Sequence, residues 1–202
     1  SSIGTFRRTA LPKIVVVVAL ACGFLASLAA ESTTEPAWRV LPLVAGGKVD
    51  PNWTQVGWGG FAVDDGALRT ECDSRGLGLL VYKKERLGNC QLRVVFKTKD
   101  AKSNAGVYVR LADGILELEG KPGAAFDRDA SGKISPASME KMKASAERDE
   151  GPWFAVHHGY EVQIADAGDP WHRTGSIYSL APSSAVSKKT PVEWKTMVIT
   201  LA

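Results

Sequence analysis

The 202-residue sequence predicts an all-β protein, an antiparallel β-sandwich that carries one short helical insertion. Short segments rich in β-branched or alternating apolar residues recur along the chain, and turn sequences such as Asp64-Asp65-Gly66 separate them. No long amphipathic helical pattern lies between them. Short strands of regular spacing that are separated by turns are typical of β-sandwiches and β-barrels. The predicted strands are 60–63, 67–71, 78–82, 90–98, 106–111, 160–165, 175–180 and 194–201.

The amino-terminal segment has the pattern of a secretory signal peptide. Residues 14–30 are uncharged and apolar, follow three basic residues, and end in small residues around Ser27 and Ala29. The predicted organisation is therefore a signal peptide at 1–30, a polar linker at 31–37 and one domain at 38–202. An uncleaved membrane anchor and a lipid attached at Cys22 are the two alternatives. Export predicts a secreted or periplasmic protein that is free of the membrane after cleavage.

The charge of the chain argues against a nucleic-acid partner. Three of the 25 basic residues lie within the first 29 positions, so 22 basic residues balance 22 acidic residues in the rest. A domain of balanced charge has no general attraction for a phosphate backbone. The number of protomers is left open by the sequence.

Two cysteines, Cys72 and Cys90, remain in the predicted mature chain. An oxidising compartment allows them to form a disulfide, and two buried free thiols on neighbouring strands agree equally well with the sequence. Their spacing is not that of a structural zinc site.

The helical insertion is predicted at 138–150, where good helix formers follow one another. Ser135 and Pro136 supply an N-cap and a first-turn proline. Met139 and Met142 are the main apolar side chains, so we expect the helix to lie across the surface of the sheets.

The segment before this helix has part of a calcium-loop pattern. Asp127, Asp129 and Ser131 occupy the first, third and fifth positions of an EF-hand loop, but Ser138 stands where a bidentate glutamate is required. The pattern therefore favours an ordinary solvated turn over a calcium site.

Alternation along two strands predicts a polar sheet face. In strand 106–111 the residues Val107, Val109 and Leu111 share one face, and in strand 160–165 Val162 and Ile164 do the same. If these aliphatic faces share one core, the opposite face forms a groove. Its predicted lining is Tyr108, Arg110, Glu161 and Gln163. A half-exposed sheet without a site shows the same alternation.

Acid and base groups crowd around the end of the second of these strands. The segment 157–172 holds His157, His158, Glu161, Asp166, Asp169 and His172. Trp171 lies within this segment, Tyr178 follows it closely, and both rings are able to stack on a pyranose ring. Carboxylates and amides bind hydroxyl groups, so the constellation indicates a groove for sugars.

The order of the motifs resembles the bacterial 3-keto-disaccharide hydrolase domain family. The resemblance spans residues 38–202 and depends most on NAGVYVR, GYEVQIAD and TGSIY; Trp53, VDDGALRT and VEWKTMVI extend it. It implies a concanavalin-like jelly-roll and an exported hydrolase or lyase acting on 3-keto-glycosides or related disaccharides. The ketone acidifies the proton on carbon 2, so a base can remove that proton and the aglycone on carbon 1 can leave by elimination.

The resemblance also implies site residues. The expected catalytic residues are Glu161, Asp166 and His172; the expected substrate-binding residues are Asn104, Tyr108, Arg110, Gln163, Trp171 and Tyr178. Glu161 or His172 is the expected base, Asp166 a ligand or orienting carboxylate, and Arg110 or a bound metal the group that stabilises the enolate. No cofactor is certain, but Glu161, Asp166 and a histidine of segment 157–172 could provide ligands for a divalent ion.

Two features depart from the family pattern. Residues 112–159 are inserted between the NAGVYVR and GYEVQIAD strands, and the chain stops at Ala202, where the family continues with further strands. Since the chain also begins without Met, the sequence is expected to be a fragment. A non-catalytic, lectin-like carbohydrate-binding module is the alternative function on the same fold, and a structural envelope domain is a third.

Overall fold

The computed structural model describes residues 13–16, 38–131, 133–186 and 191–202, and strands dominate it. Its helices are α1 (Pro136–Glu147) and α2 (Trp153–His157), with a 3₁₀ turn at Ile115–Leu118. The strands are β1 (Lys13–Val16), β2 (Arg39–Val40), β3 (Val44–Ala45), β4 (Lys48–Val49), β5 (Trp53–Gly57), β6 (Gly60–Asp64), β7 (Ala67–Glu71), β8 (Gly78–Tyr82), β9 (Cys90–Phe96), β10 (Asn104–Val109), β11 (Tyr160–Ala165) and β12 (Lys195–Leu201).

Most strand pairs are antiparallel, and the predicted all-β sandwich is confirmed. One sheet has the order β12-β9-β1-β2, in which β1 runs parallel to both of its neighbours. The pairs β3-β4, β5-β8, β6-β7 and β10-β11 are antiparallel. The jelly-roll order of strands that the resemblance implies stays a prediction.

Strand β1 falls within the predicted signal peptide. The rest of segment 1–30, including Cys22, and the predicted linker 31–37 lie outside the described residues. Export and cleavage therefore stay predictions. None of the helices in the described part of the chain combines the length and apolar character needed to span a bilayer.

The main core lies between the pair β9-β12 and the pair β10-β11. Leu92 and Ile199 come from the first pair, and Val109 and Val162 come from the second. These side chains follow the period-two pattern of their strands, so Val107, Val109 and Val162 of the predicted aliphatic faces do share one core. Leu41 and Cys90 complete its buried set.

A second apolar cluster covers part of the opposite face of β10. Val56 and Val81 come from the pair β5-β8, and Ile115 and Ala155 come from the insertion 112–159. The ring of Tyr108 packs against this cluster. The polar face of the β10-β11 pair is consequently not an open shelf, because the insertion forms one of its walls.

Helix α1 has the predicted cap, begins at Pro136, two residues before the predicted range, and ends three residues earlier than predicted, at Glu147. The Ser135 hydroxyl accepts a hydrogen bond from the Ser138 amide at 3.1 Å, and Pro136 occupies the first turn. The capping signal is local to the chain, which is why it can be read from the sequence.

The packed face of α1 differs from the expected one. Its buried residues are Ser138 and Ser145, while Met139 is exposed. The Ser138 hydroxyl accepts from the Asp127 amide at 2.8 Å, and the Ser145 hydroxyl accepts from the Ala124 amide at 3.2 Å. Hydroxyl groups rather than thioethers therefore fasten this helix to the preceding segment.

The strand predicted at 106–111 ends early, at Val109. Arg110 has a left-handed backbone with φ of 55°, which breaks the period-two alternation. Leu111 therefore packs in the second cluster with Tyr108 instead of in the main core.

Segment 175–180 was predicted to be a strand and forms turns instead. Ile177 makes isolated bridges to Val162 and to Ala181. The segment still follows β11, because the Gly175 amide donates to the Gln163 carbonyl at 3.0 Å and the Tyr178 amide donates to the Glu161 carbonyl at 2.9 Å.

Both cysteines of the domain are free thiols in this structure. Cys90 is 1% exposed and belongs to the main core, whereas Cys72 is exposed. Of the two alternatives that the sequence left open, the structure has the free thiols, but only Cys90 is buried as that alternative expected. Burial raises the pKa of the Cys90 thiol.

Candidate functional site

The centre of the candidate site is the carboxyl group of Glu161. Glu161 lies directly opposite Tyr108 in the β10-β11 pair, and the Tyr108 hydroxyl donates to Glu161 Oε2 at 3.0 Å. Both side chains are half-buried. The structure therefore places the two predicted residues together on one face, as the alternation requires.

Burial and mutual contact shift the acidity of both groups. Burial raises the pKa of Glu161, and the hydrogen bond from Tyr108 acts against this rise without cancelling it. Burial also raises the pKa of Tyr108, and the neighbouring Glu161 carboxylate and Tyr178 phenol act in the same direction. Glu161 is thus a stronger base than an ordinary surface carboxylate.

The loop that follows β11 provides the other side of the site. Tyr178 is held beside Glu161 by the backbone hydrogen bond to the Glu161 carbonyl. The ring of His172 lies edge-on to the ring of Tyr178, with their centroids 4.8 Å apart. Trp171 and Tyr178 are 45% and 42% exposed, so both predicted stacking residues present aromatic surface to a ligand.

His172 is fixed through both ring nitrogens. Its Nδ1 is 2.8 Å from Asp169 Oδ2, and its Nε2 is 3.0 Å from Ser179 Oγ. These contacts have the order of a serine-hydrolase triad, which also needs backbone amides free to bind an oxyanion. The amides of residues 179–181 all donate to carbonyl groups within the loop. The contacts with Asp169 and Ser179 therefore orient the His172 imidazole and do not form an acyl-transfer site.

Asp166 lies in a buried ion pair instead of beside Glu161. It accepts hydrogen bonds from Lys195 and Thr98, and the Lys195 and Asp166 side chains are 5% and 9% exposed. Burial raises the pKa of Asp166, but these two hydrogen bonds outweigh burial and leave the pKa below its ordinary value. The arrangement joins the end of β11 to the β9-β12 pair.

Three predicted substrate-binding residues have other surroundings. Gln163 is 1% exposed, and its Oε1 accepts from the Ile164 amide at 2.9 Å, so its amide is not open to a ligand. The Arg110 guanidinium donates to Asn89 Oδ1 at 2.6 Å and to the Ala202 carbonyl at 3.3 Å, because the chain turns away after Val109. Asn104 is exposed at the start of β10.

His157 and His158 contact one carboxylate. His157 Nδ1 is 2.6 Å from Asp149 Oδ1, and His158 Nε2 is 2.8 Å from Asp149 Oδ2. Both hydrogen bonds lower the pKa of Asp149, that from His158 the more. These two histidines therefore connect the end of α2 to the turn that follows α1.

The residues considered for a divalent ion do not gather into a ligand set. Among the residues that the structure describes, no three His, Cys, Asp or Glu side chains converge to hold a metal. The Asp166 oxygens are engaged by Lys195 and Thr98. At the calcium-like loop, Asp129 Oδ1 accepts from Ser131 and from the Lys133 amide, which is the arrangement of an ordinary turn.

Sequence reasoning missed two residues that shape the site. Lys195 is the partner of Asp166, and nothing in the local sequence relates the two positions. Gly106 lies under the Glu161 side chain, and here a signal existed, since a glycine inside a strand often marks a close approach.

A half-buried carboxyl group beside exposed aromatic rings is an arrangement suited to a ligand that has both polar and apolar surface. A family model described as the 3-keto-alpha-glucoside-1,2-lyase-like domain matches residues 42–202. The chain belongs to this family, which confirms the family indicated by the sequence motifs. Comparison with curated proteins and with solved structures returns no match.

Proposed function

We propose that this protein cleaves 3-keto-glycosides by elimination, with Glu161 as the base. The observation that carries the proposal is the half-buried carboxyl group of Glu161, whose pKa burial raises and which Tyr108 holds in place. A general base is most effective when its pKa lies near the working pH. Membership of the keto-glucoside lyase-like family supports this substrate class.

The proposed reaction balances as a net hydrolysis. Glu161 takes the proton from carbon 2, and the electron pair of that bond passes into the enolate of the ketone at carbon 3. The enolate then expels the aglycone from carbon 1 with the electron pair of the broken bond, leaving a double bond between carbons 1 and 2. The aglycone oxygen takes up a proton, and water adds across the double bond.

The remaining residues receive supporting roles. His172, oriented by Asp169, is the candidate acid for the departing oxygen, and Trp171 and Tyr178 provide rings on which the sugar stacks. Asp166, predicted as a catalytic residue, is better suited to holding the end of β11 through Lys195. Arg110 is not assigned to the enolate, since its guanidinium is bonded elsewhere.

The direct test compares para-nitrophenyl 3-keto-α-glucoside with its unoxidised parent, following release of nitrophenol. We expect release from the keto form alone, faster than in an enzyme-free control that measures spontaneous elimination. A parallel reaction with EDTA reports whether a divalent ion takes part. Binding of either sugar without cleavage would contradict the proposal and favour the lectin-like module.

Isotopic substitution separates elimination from direct hydrolysis. Removal of the carbon-2 proton breaks a C–H bond, so a keto substrate deuterated at carbon 2 is expected to react more slowly. Equal rates for the two isotopologues in single-turnover reactions would argue against rate-limiting removal of that proton by Glu161.

A further inference from the structure

Gly106 lies in the interior of β10, opposite Gln163 and one same-face position away from Tyr108. A Cβ atom at Gly106 would lie 2.2 Å from Glu161 Oε1, 2.5 Å from Glu161 Cγ and 2.7 Å from Glu161 Cδ. The Glu161 side chain therefore occupies the space that any other residue at position 106 would fill.

The backbone conformation does not explain this glycine. Gly106 is not among the glycines with positive φ, so an L-residue could adopt its extended backbone. A glycine within a strand weakens the strand, because it has no side chain to pack and loses more entropy on folding. Its presence is accounted for by the close approach of Glu161.

The contacts of Glu161 define a single placement of the carboxyl group. Glu161 leans diagonally across β10, with Oε2 bonded to the Tyr108 hydroxyl and Oε1 over Gly106. A methyl group at position 106 would displace Cγ, Cδ and Oε1 together, which requires a different rotamer and breaks the contact with Tyr108.

We propose that Gly106 is a positioning residue that holds the Glu161 carboxyl group against Tyr108 in the orientation needed to remove the proton. This inference rests on the function proposed for Glu161. It assigns to Gly106 a role in the site that is exerted entirely through Glu161.

The test is Gly106→Ala, with Gly60→Ala as its matched control. Gly60 also lies in a strand and faces a glutamate, but a Cβ there would be 3.5 Å from Glu71 Oε2, which is ordinary contact. The measurements are the pKa of Glu161 by ¹³C NMR titration, assigned with Glu161→Gln, and kcat and KM on para-nitrophenyl 3-keto-α-glucoside.

For Gly106→Ala we expect the pKa of Glu161 to shift, because the carboxyl group leaves its buried position, and kcat to fall by about 100-fold with KM nearly unchanged. Gly60→Ala is expected to change neither quantity. An unaltered Glu161 pKa and kcat in Gly106→Ala would overturn the inference. If wild-type protein cleaves no keto-glycoside but Gly106→Ala still shifts the pKa, the proposed function fails while the positioning of the carboxyl group stands.

Thermal unfolding gives a second readout that needs no activity. In a Glu161→Ala background the space over Gly106 is empty, so Gly106→Ala is expected to raise the melting temperature there and to raise it less, or lower it, in wild-type protein. Equal changes in the two backgrounds would show that the two positions do not interact, which contradicts the inference.

Discussion

Three neighbouring residues determine the position and the surroundings of the Glu161 carboxyl group. The Tyr108 hydroxyl binds one carboxylate oxygen, the absent side chain of Gly106 leaves room for the other, and the Tyr178 amide binds the Glu161 carbonyl. Partial burial favours the protonated form of the carboxyl group, while the tyrosine hydrogen bond favours the ionised form. The balance of these effects determines the pH at which Glu161 becomes a base.

Replacing Glu161 by Gln is expected to abolish cleavage of a keto-glycoside and to leave the fold intact. Because folding raises the pKa of Glu161, the protonated form stabilises the native state at low pH, and that stability is lost as pH rises through the folded-state pKa. The glutamine variant should therefore melt higher than wild type above this pKa, with the difference growing from about pH 4 up to the folded-state pKa and constant beyond it. Calorimetry across this range measures it.

The control for that experiment is Glu140→Gln, which removes an exposed carboxylate from α1. It should keep full activity. Full activity in Glu161→Gln would contradict the assignment of the base.

Replacing Tyr108 by Phe is expected to raise the pKa of Glu161 further, since the tyrosine hydrogen bond lowers it. The base must be ionised to act, so the acidic limb of the pH–rate profile should move to higher pH. The exposed Tyr160 supplies the control Tyr160→Phe, which should leave the limb in place. A limb that stays unshifted in Tyr108→Phe would show that this hydrogen bond does not govern the titration.

At the scale of elements, β11 has two different ends. Its first half presents Glu161 to the candidate site, and its last residue leads to Asp166, which is buried against Lys195 and Thr98. The ion pair connects β11 to β12 in the other sheet. It therefore holds the end of β11 against β12.

Removing one partner of this ion pair should cost far more stability than removing both. Asp166→Ala leaves the Lys195 charge buried and unpaired, with an expected loss of about 3–5 kcal/mol. The double variant Asp166→Ala with Lys195→Met should recover much of that loss. Urea denaturation of the wild type, both single variants and the double variant measures the coupling.

The same four proteins test the role of Asp166. If Asp166 acts through structure, the double variant should regain cleavage together with stability. A double variant that is stable and inactive would support the catalytic role first predicted for Asp166.

At the scale of the whole molecule, two apolar clusters lie on opposite faces of the β10-β11 pair. The main core contacts Val109 and Val162, and the second cluster, supplied partly by the insertion, contacts Tyr108. The insertion therefore takes part in forming the candidate site, since it covers the side of Tyr108 that would otherwise meet water.

The packing of the main core predicts the reactivity of the two domain cysteines. Iodoacetamide should modify the exposed Cys72 in the native protein and Cys90 only after unfolding, because Cys90 is in the main core and burial raises its pKa. Peptide mapping by mass spectrometry locates the label. A peptide linked between Cys72 and Cys90 in a non-reduced digest would contradict the structure.

Local patterns predicted the elements that are governed by neighbours in the chain. The strands at 67–71, 78–82 and 160–165 have the predicted bounds, and helix α1 starts at its predicted cap. The strand predicted at 106–111 lies at 104–109, because Arg110 has a left-handed backbone that ends the alternation two residues earlier than predicted. Segment 175–180 forms turns and contacts β11 through scattered hydrogen bonds. No periodicity in its sequence predicts this irregular pairing.

The sequence by itself determined the all-β class, the family, and the shared face of Tyr108 and Glu161, because alternation and motif order are properties of neighbouring residues. Only the tertiary structure decided which polar groups stay open to a ligand. Gln163 is buried, and Asp166 pairs with a lysine 29 positions away. Such partners meet only when the sheets pack, so their contacts depend on the whole fold and not on any local pattern.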